Sequence, residues 1–456
     1  MSGEFTNSLI RFFYPIMKKR LLLLVLVVCV ATMASAAEKI QLTLEKARQI
    51  ALEQNPTLAI ARANIAAAAA VVQQVEATYY PSVDVTGSMT RLRDYPTARP
   101  ERDFDNTTQY RTGLSIGWLV FDGGARHFRM STAEIAEETA ISECDDARRQ
   151  LLQQVANAFY LVLQAQNSME IALQDAEFNR QLESDAKKRQ ELGTSKLSEV
   201  LNFQYQVGSA EVNFIQAQRT WRNACVALGQ LLVIQQPAIW ECIELVPPET
   251  DFAEKGDIGE LETLLEYAKA HRPDLINARN AVRSAEAGLA LTKTEWWPQI
   301  SAFYDFYFQR NHQAHFNRHH DRGISFGVQA TWNLFSGFTT EANIEAAKAR
   351  LVAAERTLAS VELEVDARVR EAYIIVDGAR RQLVMQNELL EIATRIRDLV
   401  KEEYDGGTAT ITRLNEVQTD LTNTALARSN AYVQVLLNLE VLNAATAMNL
   451  IPPSAE

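Results

Sequence analysis

The chain carries one pattern twice. Asn55-Pro56 in the first half answers Arg272-Pro273 in the second, and Tyr79-Tyr80-Pro81 answers Trp296-Trp297-Pro298, both 217 residues on. Farther along the offset becomes 214: Trp118 with Trp332, Phe121 with Phe335, Gly193-Thr194 with Gly407-Thr408. A period of about 210 residues is too long for a solenoid repeat. It predicts a duplicated unit with pseudo-two-fold or pseudo-rotational symmetry, so that each copy can be read against the other. The copies fall at 37–234 and 259–450, joined by a linker at 235–258 and followed by a tail at 451–456.

Ahead of the copies, Met17-Lys18-Lys19-Arg20, the apolar run from Leu21 to Val30, and Ala34-Ser35-Ala36 have the form of a secretory signal. The run is too short to span a bilayer as a helix. Residues 1–36 are therefore expected to be leader and signal peptide, cleaved near Ala36, with Met17 as the true start. A buried N-terminal helix is the competing reading. Val27-Val28 before Cys29 lacks the small residue expected beside a lipidated cysteine, so no lipid is expected. Three cysteines remain, Cys144, Cys225 and Cys242, and an odd number argues against a disulfide framework. Cys225 and Cys242 can pair or stay as buried thiols. Of 45 basic and 57 acidic residues, four and one lie in residues 1–36, which leaves a mature net charge of −15. That opposes nucleic-acid binding, which needs a basic footprint.

Each copy opens with a short helix, a proline and a longer helix: Leu44 to Asn55 then Pro56 to Tyr80, and Ile258 to Arg272 then Pro273 to Trp297. Proline is tolerated at a helix start because its missing N–H would have no partner there. Pro81 and Pro298 stop the second helix. The period then changes from 3.6 to 2. Val83, Val85 and Met89 alternate with Asp84, Thr86, Ser88 and Thr90; Leu114, Ile116, Trp118 and Val120 alternate with Gly113, Ser115 and Gly117. Copy two repeats this with Ile300, Ala302, Tyr304, Phe306 and Phe308, and with Ile324, Phe326, Val328, Ala330, Trp332 and Leu334. These are four strands in two hairpins, at about 82–121 and 299–335, each strand long enough to cross a bilayer when tilted. A small soluble sheet packed on helices is the alternative. Four strands cannot close a barrel, and lipid allows no open edge. A spanning sheet therefore needs several chains, eight strands from a dimer or twelve from a trimer.

After each hairpin comes a run without proline, Arg129 to Leu192 and Thr340 to Tyr404, whose only interior glycine is Gly378. Roughly 60 residues make about 90 Å of helix. Each run ends in glycine, and a return helix follows, Ser195 to Val233 and Thr410 to Asn449. Such hairpins need neighbours to bury their apolar stripes.

Two motifs invite other readings. Gly113-Leu-Ser115-Ile-Gly117 and Gly323-Ile-Ser325-Phe-Gly327 match the nucleophile-elbow pattern. That chemistry needs serine on a sharp strand-to-helix turn with a histidine partner. Here each serine lies inside a continuing strand, and the repeat sets Gly113 against Gly327, so the matches are not equivalent positions. His312, His315, His319 and His320 could hold a transition metal, but lack carboxylate or cysteine spacing and read as a solvated loop. No phosphate loop, dinucleotide motif or metalloprotease helix is found. No enzyme, cofactor or metal is expected. A soluble periplasmic coiled-coil scaffold and a secreted hydrolase are the competing functional readings.

The chain from about Leu42 to Leu450 resembles the TolC-like outer membrane factor, or outer membrane efflux protein, family. The marks are the duplication, Tyr79-Tyr80-Pro81 and Trp296-Trp297-Pro298, the strand exits Trp118-Leu-Val-Phe121-Asp-Gly-Gly124 and Trp332-Asn-Leu-Phe335-Ser-Gly337, and the paired tips Leu192-Gly193-Thr194-Ser195 and Gly406-Gly407-Thr408-Ala409. The resemblance implies a mostly α protein with membrane β-structure. In it a homotrimer gives four strands per chain to a twelve-stranded outer membrane barrel, continued by a long periplasmic helical barrel. It implies the exit duct of a tripartite efflux pump or type I secretion system. The implied partners are outer membrane lipid, a periplasmic adaptor and an inner membrane transporter of the RND, ABC or MFS type. Carried onto this chain, Gly193, Thr194, Ser195, Gly407 and Thr408 are adaptor-docking residues, the glycines ending the outgoing helices and the hydroxyls capping the return ones. Glu199, Tyr404, Arg413 and Glu416 are placed at the periplasmic aperture. The chain departs from the family pattern at Ala409 and Arg413, where an arginine and an aspartate are usual, so Arg413 needs another partner.

Overall fold

The structure is a computed structural model that describes residues 40–94, 105–193, 196–235, 239–247, 258–311, 316–317 and 320–451. The expected leader and cleavage site lie outside these residues. Two compact units result, and each draws on both sequence copies. One comprises residues up to Gln54, Gln154–Gly256 and Arg381–Leu437; the other comprises Asn55–Gln153, Asp257–Arg380 and residues from Asn438 on.

The second unit holds the sheet. Its strands are β2 (Ser82–Asp94) and β3 (Asp105–Phe121) from copy one, and β5 (Gln299–Asn311) and β6 (Arg322–Thr331) from copy two. All pairings are antiparallel in the order β2-β3-β5-β6, so β2 and β6 are edges. Alternation in sequence becomes two faces in space, because successive strand side chains point to opposite sides. One polar row crosses all four strands: Asp84 lies opposite Ser115, Ser115 opposite Asp305, and Asp305 opposite Ser325.

The helices that enter the strands are α1 (Leu44–Gln54, in the first unit), α2 (Pro56–Ala77), α6 (Leu261–His271) and α7 (Pro273–Lys293). Pro56 and Pro273 sit in the first turn of their helices as the sequence predicts, and Asn55 caps α2 by accepting from the Thr57 N–H at 2.9 Å. The indole N–H of Trp118 donates to the Tyr79 carbonyl at 3.0 Å, and Trp332 repeats the bond to Trp296 at 3.1 Å. Each strand exit is thereby tied to the end of the helix before its hairpin.

The expected fourth strand reached Leu334, but β6 stops at Thr331. The cause is a missing partner. In copy one, Trp118, Leu119 and Phe121 stay in the ladder against Ala302, Ser301 and Ile300 of β5. Their counterparts Trp332, Asn333 and Phe335 follow β6, an edge strand with no neighbour on that side among the described residues.

Two long helices, α3 (Ala125–Glu191) and α8 (Thr339–Asp405), each run 67 residues and contribute to both units. The return helices are α4 (Leu197–Leu231) and α9 (Ile411–Thr446). Chain reversals repeat with the sequence. Left-handed residues fall 214 apart as Gly123 and Gly337, Gly124 and Phe338, Gly193 and Gly407, and Val233 and Ala447.

In the sheet-bearing unit the core joins Leu264, Leu265 and Leu275 to Val365, Val369 and Val376 of α8 and Leu442 of α9. The end of α9 has four carbonyls without intrahelical partners. Buried Arg272 donates to the Ala445 carbonyl at 2.7 Å, and buried Arg149 to the Ala444 carbonyl at 2.9 Å. The first unit has its own small parallel pair, β1 (Ile40–Leu42) with β4 (Ile243–Leu245), the latter preceded by α5 (Ile239–Cys242). Buried Cys225 is a free thiol whose pKa burial pushes up to about 11. The Cys242 side chain lies outside the described residues.

Candidate functional site

The first unit ends in two helical-hairpin tips. Gly193 (φ +75°) and Gly407 (φ +80°) terminate α3 and α8 in the left-handed conformation that glycine adopts without steric cost. At the second tip, the Thr408 N–H donates to the Glu403 carbonyl at 2.9 Å and the Gly407 N–H to the Tyr404 carbonyl at 3.0 Å. This pair of bonds is the Schellman closure, which satisfies carbonyls at the helix end.

The hydroxyl capping expected of the tips is placed differently. Thr408 donates its hydroxyl back to the Glu403 carbonyl at 2.9 Å, so it closes the outgoing helix. The return helix α9 is capped by Thr410, which accepts from the Arg413 N–H at 3.3 Å. At the first tip the residue before α4 is Lys196, with no side-chain cap. Thr194 and Ser195 lie outside the described residues.

Tyr404 is buried in a tip core with Leu182, Val200, Phe203, Leu414 and Val417. Its ring meets Phe203 edge-on at 6.2 Å, and the Arg189 guanidinium lies 5.1 Å from its centre. Burial raises the Tyr404 phenol, the charges of Glu199 and Asp405 add to this, and Arg189 opposes them. Arg189 also donates to Asp405 at 2.9 Å and so ties α3 to α8. Glu199 lies in the first turn of α4, where a carboxylate suits the positive helix end. Arg413 does find a partner, Glu416, at 2.7 Å on its own helix. Both are about half exposed, so the pair adds little stability. The amide of Asn415 donates to Asn202 at 2.8 Å and joins the two return helices. The structure thus gathers Tyr404 and Glu199 about one core and leaves Arg413 and Glu416 as an exposed pair.

The sequence did not single out Arg189, Asp405 or Leu197, and Leu192 stood only as part of the tip motif. Leu192 and Leu197 flank the first tip with side chains largely exposed, while Ile411, the counterpart of Leu197, packs on the tip core. The signal was present: apolar residues beside a turn glycine, with nothing among the described residues of the hairpin covering them.

Above the tips a polar groove of about 600 Å³ runs among α3, α4 and α9. Buried Gln418 donates to Asp175 at 2.7 Å and Thr422 donates to the same oxygen at 3.0 Å. In the other unit, Ser115 and Ser325 lie within continuous strands, and Ser325 points its hydroxyl to Asp305 at 3.4 Å. This is no strand-to-helix elbow. Of the four clustered histidines only His320 is among the described residues.

The model of the outer membrane efflux protein family matches residues 47–232 and again 264–447. Protein CyaE of Bordetella pertussis is 24% identical over 381 residues, covering 83% of this chain and 78% of its own. The outer membrane protein TolC of Vibrio cholerae is 23% identical over 316 residues, covering 68% and 70%. The Neisseria gonorrhoeae MtrE outer membrane channel in its open state superposes with a TM-score of 0.75 at 18% identity, over 93% of this chain and 95% of its own. With its family's pattern present in both copies, the chain belongs to the outer membrane efflux proteins.

Proposed function

We propose that three copies of this chain form an outer membrane exit duct that passes cargo from a periplasmic adaptor and an inner membrane transporter to the exterior. The observation that carries this is the four-stranded sheet with two free edges and apolar residues exposed along them. Val85 is 82% exposed and Phe326 78% exposed in the single chain. Such a sheet would aggregate in water. In lipid it must close, because unpaired backbone groups there cost several kcal/mol each. Two copies per chain and three chains per duct place six similar hairpin tips around one axis. The mature copies are 37–234 and 259–450, and the tips are where the adaptor docks. Exposed Leu192 and Leu197, beside Gly193, Thr194 and Ser195, supply the apolar contact, with Gly407 and Thr408 in the alternating tips. The cargo is moved, not chemically changed. Lumen contacts are weak, so choice of cargo rests with the transporter, in efflux or in type I secretion.

Fractionation tests this directly. The protein should stay with outer membranes after carbonate extraction and run as a heat-sensitive oligomer in detergent. Release into the periplasmic fraction would instead support a soluble coiled-coil scaffold. The docking proposal predicts that Leu192→Asp with Leu197→Asp abolishes cross-linking to an adaptor while the oligomer persists.

A further inference from the structure

The two Gly-x-Ser-x-Gly motifs carry no chemistry, and the duplication does not explain them. From Gly113 to Gly323 is 210 residues, whereas 214 relates the copies in these strands. The offset of 214 carries Gly113 to Gly327, but Ser115 to Gln329 and Gly117 to Thr331. The ladder explains them instead. β3 and β6 flank β5 and both run antiparallel to it, so their motifs line up across it. Gly113 and Gly323 lie opposite Tyr307, Ser115 and Ser325 opposite Asp305, and Gly117 and Gly327 opposite Phe303. Each motif is one side of a cradle for Phe303-x-Asp305-x-Tyr307.

The cradle lies on the polar face of the sheet. Residues two apart on a strand share a face, and the same face carries Asp84, Ser88, Gln309 and Gln329. In a membrane barrel this face lines the lumen. Here the rings lie down on glycine. A Cβ on Gly323 would meet the Tyr307 Cε2 and Oη at 2.7 Å, and one on Gly327 would meet the Phe303 Cζ at 3.0 Å. From the opposite neighbour, β3, Arg111 sets its guanidinium 4.2 Å from the centre of the Tyr307 ring. The atoms that a Cβ would strike belong to the free ends of rotatable side chains. A methyl group there would therefore tilt the ring off the wall rather than shift the strand. Gly113 differs, since its Cβ would meet the Phe306 carbonyl at 2.6 Å and disturb the ladder itself.

We infer that Gly323 and Gly327 keep the bore of the duct open by letting the Tyr307 and Phe303 rings lie flat against its wall. Upright, these rings from three chains would project into the lumen at two levels. This rests on the duct reading above and adds an upper limit on cargo size that the barrel itself imposes. Rings laid over glycine also shield bare backbone, which steadies a strand. That role alone would change the stability of the oligomer and leave its bore as it is.

β5 leaves the helices at Gln299, so Ser301 lies on the helical side of both rings and on their face of the strand. Ser301→Cys then reports which reagents have passed the rings from outside. Whole cells are treated with polyethylene glycol maleimides of graded size, with the chain lacking this cysteine as control. Gly323→Ala with Gly327→Ala should lower the size of the largest reagent that reacts, while the heat-sensitive oligomer persists. Adding Phe303→Ala and Tyr307→Ala should restore it. An unchanged limit in the alanine pair, or no recovery once the rings are gone, would overturn the inference and leave the glycines a stabilising role. If the alanine pair does not assemble, Phe303→Ala with Tyr307→Ala alone decides. Flat rings predict a small rise in the limit, and a large rise would show that they already stand in the bore, against the inference. No reaction with even the smallest maleimide would instead overturn the duct reading, in which Ser301 faces an open lumen.

Discussion

Single residues show where the copies are under the same constraint and where they have parted. Gly123 and Gly337 occupy equivalent left-handed positions, at φ +68° and +64°. A Cβ on Gly123 would meet the Trp297 Cβ at 2.5 Å and the Thr294 carbonyl at 3.1 Å, whereas Gly337 has open space. Gly337→Ala should therefore cost only the backbone strain, about 1–2 kcal/mol. Gly123→Ala should cost about 1–3 kcal/mol more, because packed neighbours must move. Thermal melts in detergent would show this, and equal shifts would mean that the Trp297 contact is unimportant. The next pair goes further, with Gly124 answered by Phe338 at φ +68°, a conformation unfavourable for a bulky side chain. Glycine at these turns was legible in the sequence as repeated Gly123-Gly124 and Gly337. The close approach of Trp297 was not, because it depends on where the preceding helix ends in space.

At the scale of elements, proline and glycine punctuation read true. Pro56 and Pro273 start helices, and Gly193 and Gly407 end them, because the backbone chemistry of these residues is local. The anchoring of the α9 end was invisible, since it joins residues far apart in sequence. Arg272 holds the Ala445 carbonyl and also grips Asp274 through its Nε at 2.9 Å. Burial alone would raise the Asp274 carboxyl, but hydrogen bonds and charge from Arg272, with the charge of Arg149 and the Leu275 N–H, hold it below its usual value. A lowered native pKa contributes stability above the unfolded carboxylate range and loses it as pH falls through the native value. Stability should thus hold from neutral down to about pH 4 and then decline. Asp274→Asn should be less stable at neutral pH and show a smaller acid loss. An unchanged acid limb in denaturant titrations would count against this role. Arg272→Ala should cost about 3 kcal/mol or more, because it leaves a partly buried carboxylate and a helix carbonyl without their donor.

At the scale of the whole molecule the aperture reading gains a sign. Three carboxylates around a narrow pore favour cations. Here each Glu416 carries Arg413 beside it, which offsets that charge. Arg413→Ala should therefore raise cation preference, and Glu416→Ala should lower it. Reversal potentials in planar bilayers under a salt gradient should move in opposite directions, and two unchanged values would remove this pair from the aperture. The sequence by itself determined the duplication, the class of the elements that recur in both copies, the tips and the family, because periodicity and turn chemistry are local and were written twice; the small pair of β1 with β4, and α5 before it, lay in stretches read as linker or not read at all. Only the tertiary structure decided that Tyr404 packs beneath the tips, that Arg413 turns to Glu416, and that each compact unit mixes both copies. It also decided which strands are edges. Those outcomes depend on which surfaces meet, and only the folded chain brings distant residues together.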